Sequence, residues 1–161
     1  MSVPGPRTII DFESGAMQYM GILLDSPGWT MSTDRAYAGS SSMTNVVDDD
    51  SWGTAADLVL KFDLANPSTI SLKAMIDVGM GYERFALFVN GQQRNMYDKR
   101  ITDRDGELIW LPVTTSLPPG KHVLKLSVMK AESRPASWPR DLNSEGSGAV
   151  WVDEIEIFNT L

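Results

Sequence analysis

The chain contains no cysteine and only one histidine, His122, and these two shortages exclude several kinds of site. Without thiols it can form no disulfide, no thiolate metal site and no cysteine nucleophile. The absence of cysteine also means that cysteine usage does not indicate a redox compartment. A zinc site needs nitrogen or sulfur ligands that a single histidine does not supply. Because His122 starts a strand pattern directly after a turn, we interpret it as a partly buried structural residue rather than a general base.

Other features are missing as well. No apolar run approaches the ~20 residues that span a bilayer, and residues 1–6 lack the basic and apolar regions of a signal peptide. The net charge of −7 disfavours a nucleic-acid partner. The chain has no nucleophile elbow, phosphate-binding loop or zinc-protease motif. We therefore predict no membrane span and no catalysis; the rival is a small jelly-roll glycosidase with two carboxylates about 5–10 Å apart.

Alternation of apolar and polar residues is the dominant pattern, and it is typical of half-buried β-strands. It is clearest in residues 58–64, 70–78, 85–89 and 122–129. Asn90-Gly91 follows the third of these and predicts a type I′ hairpin turn. No window of eleven or more residues has a convincing helical period. The sequence predicts an all-β fold, a two-sheet antiparallel jelly-roll β-sandwich of eight to ten strands.

The length of 161 residues favours a single domain over 1–161. Residues 1–6 are predicted to form an N-terminal arm, and 131–147, rich in Pro, Ser, Arg and Gly, a long loop. The predicted inward-facing residues are Ile10, Phe12, Leu60, Phe62, Leu72, Ile76, Phe85, Leu87, Leu124, Leu126, Ile155 and Ile157.

An acidic residue interrupts the final strand pattern, residues 149–158. Its odd positions are Trp151, Asp153, Ile155 and Ile157, so simple alternation places Asp153 on an apolar face. A buried carboxylate is costly unless hydrogen-bond donors, a cation or a metal accompany it. We therefore expect Asp153 to have such a partner.

The aromatic residues divide by position. Three tryptophans lie in strand patterns and are predicted to be in the core: Trp29, Trp110 and Trp151. Four residues lie at strand ends or in loops and are candidate contacts for a glycan or a partner protein: Trp52, Tyr82, Tyr97 and Trp138. An exposed ring offers a flat apolar face on which a sugar can stack. The alternative is that each ring covers an edge of the core.

Two acidic segments, 48–53 and 103–107, invite a calcium interpretation. Neither fits the twelve-residue EF-hand loop. Asp105-Gly106 in the second segment is also a good hairpin turn. Turn formation is therefore the preferred interpretation of the second segment.

Several short phrases occur in a characteristic order. Asp11-Phe12-Glu13-Ser14-Gly15 comes first, followed by Trp29, by the stretch 38–43, by 119–126 and by 150–155. In this order they resemble the carbohydrate-binding-module-like jelly rolls, galactose-binding-like β-sandwiches attached to glycoside hydrolases and surface proteins. The resemblance spans nearly the whole chain.

The resemblance implies a structural calcium ion held by Glu13 and Asp153, beside the first and last strands. It would give Asp153 the partner that a buried carboxylate requires. The insert between Gly15 and Trp29 is longer than the family's. No sugar-binding motif of the family aligns with this chain, so the resemblance implies no glycan site.

The charge is unevenly distributed. Residues 1–70 hold 3 basic and 9 acidic side chains, 71–140 hold 11 and 7, and 141–161 hold 0 and 5. These counts fit a solvated mixed surface, or copies of the protein that meet acidic patch to basic patch.

Two functional hypotheses follow. The leading one is a non-catalytic structural or adhesion protein at a virion surface, such as a bacteriophage capsid decoration or tail-associated protein. It rests on the missing leader and cysteines, the jelly roll and the uneven charge. Its partners would be further copies in a homo-oligomer and other virion proteins. The alternative is an extracellular glycan-binding accessory module of a carbohydrate-active or cell-surface protein. The residues do not identify a virus, a lattice position, an oligomeric state or a sugar.

Overall fold

A computed structural model describes residues 7–13, 26–45, 55–78, 83–130 and 148–159. These residues form antiparallel β-strands and no helix. The strands are β1 (Arg7–Ile10), β2 (Trp29–Ser32), β3 (Ser42–Asn45), β4 (Ala55–Leu64), β5 (Ser68–Asp77), β6 (Glu83–Val89), β7 (Gln92–Tyr97), β8 (Trp110–Leu117), β9 (Gly120–Lys130) and β10 (Ala149–Asn159). The predicted arm and long loop, with Trp52, Tyr82 and Trp138, lie outside the described residues.

The strands form two sheets. The first, here called the β10 sheet, has the order β2-β3-β10-β5-β8, with β1 also paired to β10. The second, the β9 sheet, has the order β4-β9-β6-β7. Both contribute to one buried apolar cluster, so they pack face to face. The predicted two-sheet antiparallel sandwich is confirmed. No described stretch forms a helix suited to crossing a bilayer.

The core lies between the sheets and follows the alternation of the strands. Along β4, Leu58, Leu60, Phe62 and Leu64 are buried, whereas the residues between them are at least partly exposed. All twelve residues predicted to face inward are buried. Full burial of one such side chain stabilises the fold by about 1.5–3 kcal/mol, so the core supplies most of the favourable free energy of folding.

The β6–β7 hairpin turns at Asn90-Gly91 as predicted. Both residues have positive φ, 51° and 83°, which a type I′ turn requires. The Asn90 side chain accepts a hydrogen bond from the Val123 backbone N–H (2.8 Å) and donates to Nδ1 of His122 (3.0 Å). Nε2 of His122 donates to the Pro118 carbonyl (2.8 Å). His122 is 8% exposed, so it has the structural role that its position indicated.

A β-bulge in β10 changes the prediction for Asp153. The β10–β5 register shifts between Asp153 and Glu156, and Glu154 has a φ of 50°. The extra residue reverses which side chains face inward. Before the bulge Val150 and Val152 are buried, and after it Ile155 and Ile157 are buried. Asp153 opposes Lys73, on the outer face. Placing Asp153 on the same face as Ile155 and Ile157 was therefore wrong.

Candidate functional site

Three large side chains form a row across the outer face of the β10 sheet. Trp151 on β10 opposes Met75 on β5, and Met75 opposes Trp110 on β8. Directly opposed residues share a face, and two strand spacings place the outer two about 10 Å apart. Both tryptophans are partly exposed. The prediction that Trp110 and Trp151 belong to the core was wrong, because alternation does not identify the inward face. Trp29 is buried as predicted.

The segment after β2 lies against this row. The Arg35 guanidinium lies 4.8 Å from the centroid of the Trp151 ring, and its Nη1 donates to the Met75 sulfur at 3.5 Å. The Tyr37 ring meets Trp110 edge to face, with centroids 6.1 Å apart. Trp151, Met75, Trp110, Arg35 and Tyr37, together with Lys73 described next, are called the aromatic platform.

Lys73 completes the aromatic platform. It lies two residues before Met75 on β5, on the same outer face. Its ammonium lies 5.3 Å from the centroid of the Tyr37 ring. Tyr37 is 49% exposed, which makes it one of the most exposed large apolar side chains among the described residues. The aromatic platform therefore places partly exposed rings on one outer side of the sandwich, with one cationic group over the Trp151 ring and another over the Tyr37 ring.

Asp153 holds the segment that carries Tyr37. Its Oδ2 accepts hydrogen bonds from the backbone N–H groups of Tyr37 (2.9 Å) and Ala38 (3.2 Å), and its Oδ1 accepts one from Glu154 (2.8 Å). The side chain is fully buried beneath this segment. Burial raises the pKa of Asp153 to about 6, against the opposing effect of the three hydrogen bonds. Asp153 thus has hydrogen-bond donors as its partners.

Glu13 holds the same segment further along. Its carboxylate accepts the backbone N–H groups of Ser40 (2.9 and 3.0 Å) and Ser41 (2.8 Å), and the Ser40 hydroxyl (3.3 Å). These backbone hydrogen bonds lower the pKa of Glu13. Gly39 has a φ of 69°, and a Cβ there would lie 2.4 Å from the Glu13 carboxyl carbon. The close approach of Glu13 therefore depends on a glycine at position 39.

The calcium site that the resemblance implied, held by Glu13 and Asp153, stays a prediction. Every carboxylate oxygen of Glu13 and Asp153 accepts at least one N–H hydrogen bond, so donors in the protein already accompany both charges. Within the described ranges, no group of three or more acidic, histidine or cysteine side chains could hold a metal. The two carboxylates bind one shared segment, residues 37–41, and the structure explains both through hydrogen bonds.

The remaining predicted positions are less informative. The 103–107 segment is a turn in which Oδ1 of Asp103 accepts the N–H groups of Asp105 (2.8 Å) and Glu107 (3.1 Å). The 48–53 segment lies outside the described residues. Tyr97 stacks on Phe85 with centroids 6.2 Å apart and packs against the core, so its ring is only partly available at the surface.

Three residues of the aromatic platform were not predicted from the sequence, because the pattern around them gave no sign of a site. Arg35 and Tyr37 lie in a segment without alternation, and Lys73 looked like an ordinary solvent-facing strand residue. A signal for Tyr37 was present in its closeness to the phrase 38–43, which the resemblance singled out. Only the fold shows that this segment crosses the outer face of β10 and β5.

The fold has relatives among solved structures. No protein-family model matches the sequence, and a search of curated proteins found no significant match. A β-(1,4)-mannanase from Podospora anserina, described as GH26-CBM35, is 12% identical, with a TM-score of 0.50, over 97% of this chain and 28% of its own. A family 35 carbohydrate-binding module from Clostridium thermocellum is 11% identical, with a TM-score of 0.49, over 97% of this chain and 100% of its own.

A family 61 module solved with β-1,4-galactotriose is 14% identical, with a TM-score of 0.48, over 96% of this chain and 88% of its own. Identities this low establish the fold alone. The chain has the jelly-roll β-sandwich fold of carbohydrate-binding modules, as its phrases predicted.

Proposed function

We propose that the protein is a glycan-binding module and that the aromatic platform is its binding surface. One observation carries the proposal: the edge-to-face pair of Tyr37 and Trp110 lies on the same outer face as Trp151, at the other end of the row. Aromatic rings of this kind supply flat apolar surface on which pyranose rings stack, and their polar ends remain in water. The fold supports the same conclusion at a coarser level.

The aromatic platform also suits a ligand that lies flat across strands. The row from Trp151 to Trp110 crosses three neighbouring strands of the β10 sheet. Asp153 binds the backbone at Tyr37 and Glu13 binds it further along at Ser41, so the backbone that carries the ring is fixed before a ligand arrives. Such preorganisation lowers the entropic cost of binding.

The virion-surface hypothesis and the homo-oligomer that it requires stay predictions that nothing in the described residues tests. The similar solved structures favour the glycan-binding alternative, because several are described as carbohydrate-binding modules. A glycan-binding module of this kind would act outside a cell or at its surface. We therefore adopt the alternative as the proposed function.

The test is a glycan array followed by titration calorimetry with any glycan that is bound. Tyr37→Ala and Trp110→Ala should each weaken binding at least tenfold, which is the order expected for a stacked ring. Phe88→Ala is the matched control, because Phe88 is a partly exposed ring beneath a lysine on the β9 sheet. Binding that survives both platform variants, or is lost equally in Phe88→Ala, would contradict the proposal.

A further inference from the structure

Two cations of the aromatic platform have no acidic partner within the described part of the chain. Arg35 and Lys73 both lie over aromatic rings, at 4.8 Å and 5.3 Å. Neither forms an ion pair with any described residue. By contrast, Arg100 is paired with Asp77, the last residue of β5, at 2.6 Å.

The carboxylate best placed to neutralise Lys73 is engaged elsewhere. Asp153 opposes Lys73 directly across the β10–β5 pair. All of its described hydrogen bonds, however, come from the N–H groups of Tyr37, Ala38 and Glu154. Among the described residues, therefore, no carboxylate forms an ion pair with Lys73, although the chain as a whole carries −7.

The two charges flank the rings that the proposed function uses. Arg35 lies at the Trp151 end of the row, and Lys73 lies beside Tyr37 near the Trp110 end. A saccharide stacked along the row would bring its ring substituents toward both cations. Charge-assisted hydrogen bonds from guanidinium or ammonium groups to an anionic oxygen are roughly twice as strong as neutral ones.

We infer that the aromatic platform is selective for anionic saccharides, with Arg35 and Lys73 as the specificity-determining residues. The inference rests on the proposed function and adds the chemical class of its ligand. A carboxylate of a uronic acid and a sulfate ester offer the same chemistry, namely anionic oxygens beside a sugar ring. The cations select the charge, and the rings bind the sugar.

The test compares one sugar backbone with and without its charge. An oligogalacturonate, its methyl-esterified form and a sulfated neutral oligosaccharide are titrated into the protein at low and at high salt. We expect the esterified form to bind at least tenfold more weakly than the free acid, and salt to weaken only the charged ligands. The sulfated ligand shows whether sulfate can replace carboxylate.

Charge-removing variants locate the selectivity. Arg35→Gln and Lys73→Gln should each lower the ratio of the affinity for the charged ligand to the affinity for its esterified form by about tenfold. Lys125→Gln is the matched control, because Lys125 lies 4.8 Å over the Phe88 ring on the other sheet. Thermal melts of every variant exclude loss of the fold as the cause.

The outcomes separate the two proposals. Equal affinity for charged and esterified ligands, with no effect of Arg35→Gln or Lys73→Gln, would overturn the selectivity and leave glycan binding intact. Binding of none of these ligands, together with a blank glycan array, would overturn glycan binding itself. Loss of affinity in Lys125→Gln equal to that in Lys73→Gln would show a general effect of positive charge and would also overturn the inference.

Discussion

Removal of the Asp153 carboxylate should destabilise the fold strongly. Asp153→Ala leaves the N–H groups of Tyr37, Ala38 and Glu154 without their acceptor, at a position that is fully buried. Each hydrogen bond to a charged group contributes roughly 1.5–3 kcal/mol, and water reaching the exposed segment recovers part of that. We expect a loss of about 2–5 kcal/mol, a large share of the total stability of a domain this size.

Asp153→Asn is the matched variant. Its amide oxygen can still accept from Tyr37 and Ala38, but its NH₂ group would face the Glu154 N–H, so we expect a loss of about 1–2 kcal/mol. Urea unfolding followed by circular dichroism measures both at neutral pH, with the slope m as a check on two-state behaviour. A loss below about 0.5 kcal/mol in Asp153→Ala would refute the reasoning, because three N–H groups would then lose a charged acceptor at almost no cost.

The same residue gives the stability a pH dependence of predictable sign. Burial raises the pKa of Asp153 to about 6 in the folded protein, above its unfolded value. Because the protonated carboxyl is favoured in the folded protein, protonation contributes its full stabilisation at a pH below the unfolded pKa. This contribution is lost as the pH rises through about 6. Relative to Asp153→Asn, wild type should therefore become more stable as the pH is lowered from 7.5 to 4.5. An unchanged difference in unfolding free energy over that range would contradict the raised pKa.

The remaining predictions concern the Glu13 side of the same segment and the metal. Gly39→Ala should destabilise the fold by more than Gly106→Ala does. Both glycines have positive φ, but only at Gly39 would a Cβ strike the Glu13 carboxylate. Paired thermal melts measure the difference. Acid titration of wild type against Glu13→Gln should show stability lost as pH falls below about 4.5, because hydrogen bonds lower the pKa of Glu13; parallel curves would refute this. Calcium and a chelator should leave the melting temperature unchanged. A calcium site would add about 2.7 kcal/mol of stability at a calcium concentration of 100 times Kd. A clear upward shift would therefore show that residues beyond the described ranges complete a calcium site.

Much of the fold could be predicted because strand alternation reports a local property. Leu58 to Leu64 alternate in the sequence and alternate in burial, since a strand points successive side chains to opposite faces. Asn90-Gly91 is equally local, because both residues readily adopt the positive φ of the turn. The order of the strands in the sheets depends on contacts between distant segments, such as β1 with β10, which the alternation within one strand does not contain.

The candidate site was harder to predict because two facts about β10 are not local. Alternation shows that Trp151 and Asp153 share a face, but the choice between core and solvent depends on what covers that face. The bulge at Glu154 reverses which side chains of β10 face inward. Ile155 and Ile157 therefore face the core although Asp153, on the other side of the bulge, faces outward. The physical demand was identified correctly all the same: a buried carboxylate needs donors. Those donors belong to the segment that also carries Tyr37, so Asp153 positions the backbone of the ring on which the proposed binding depends.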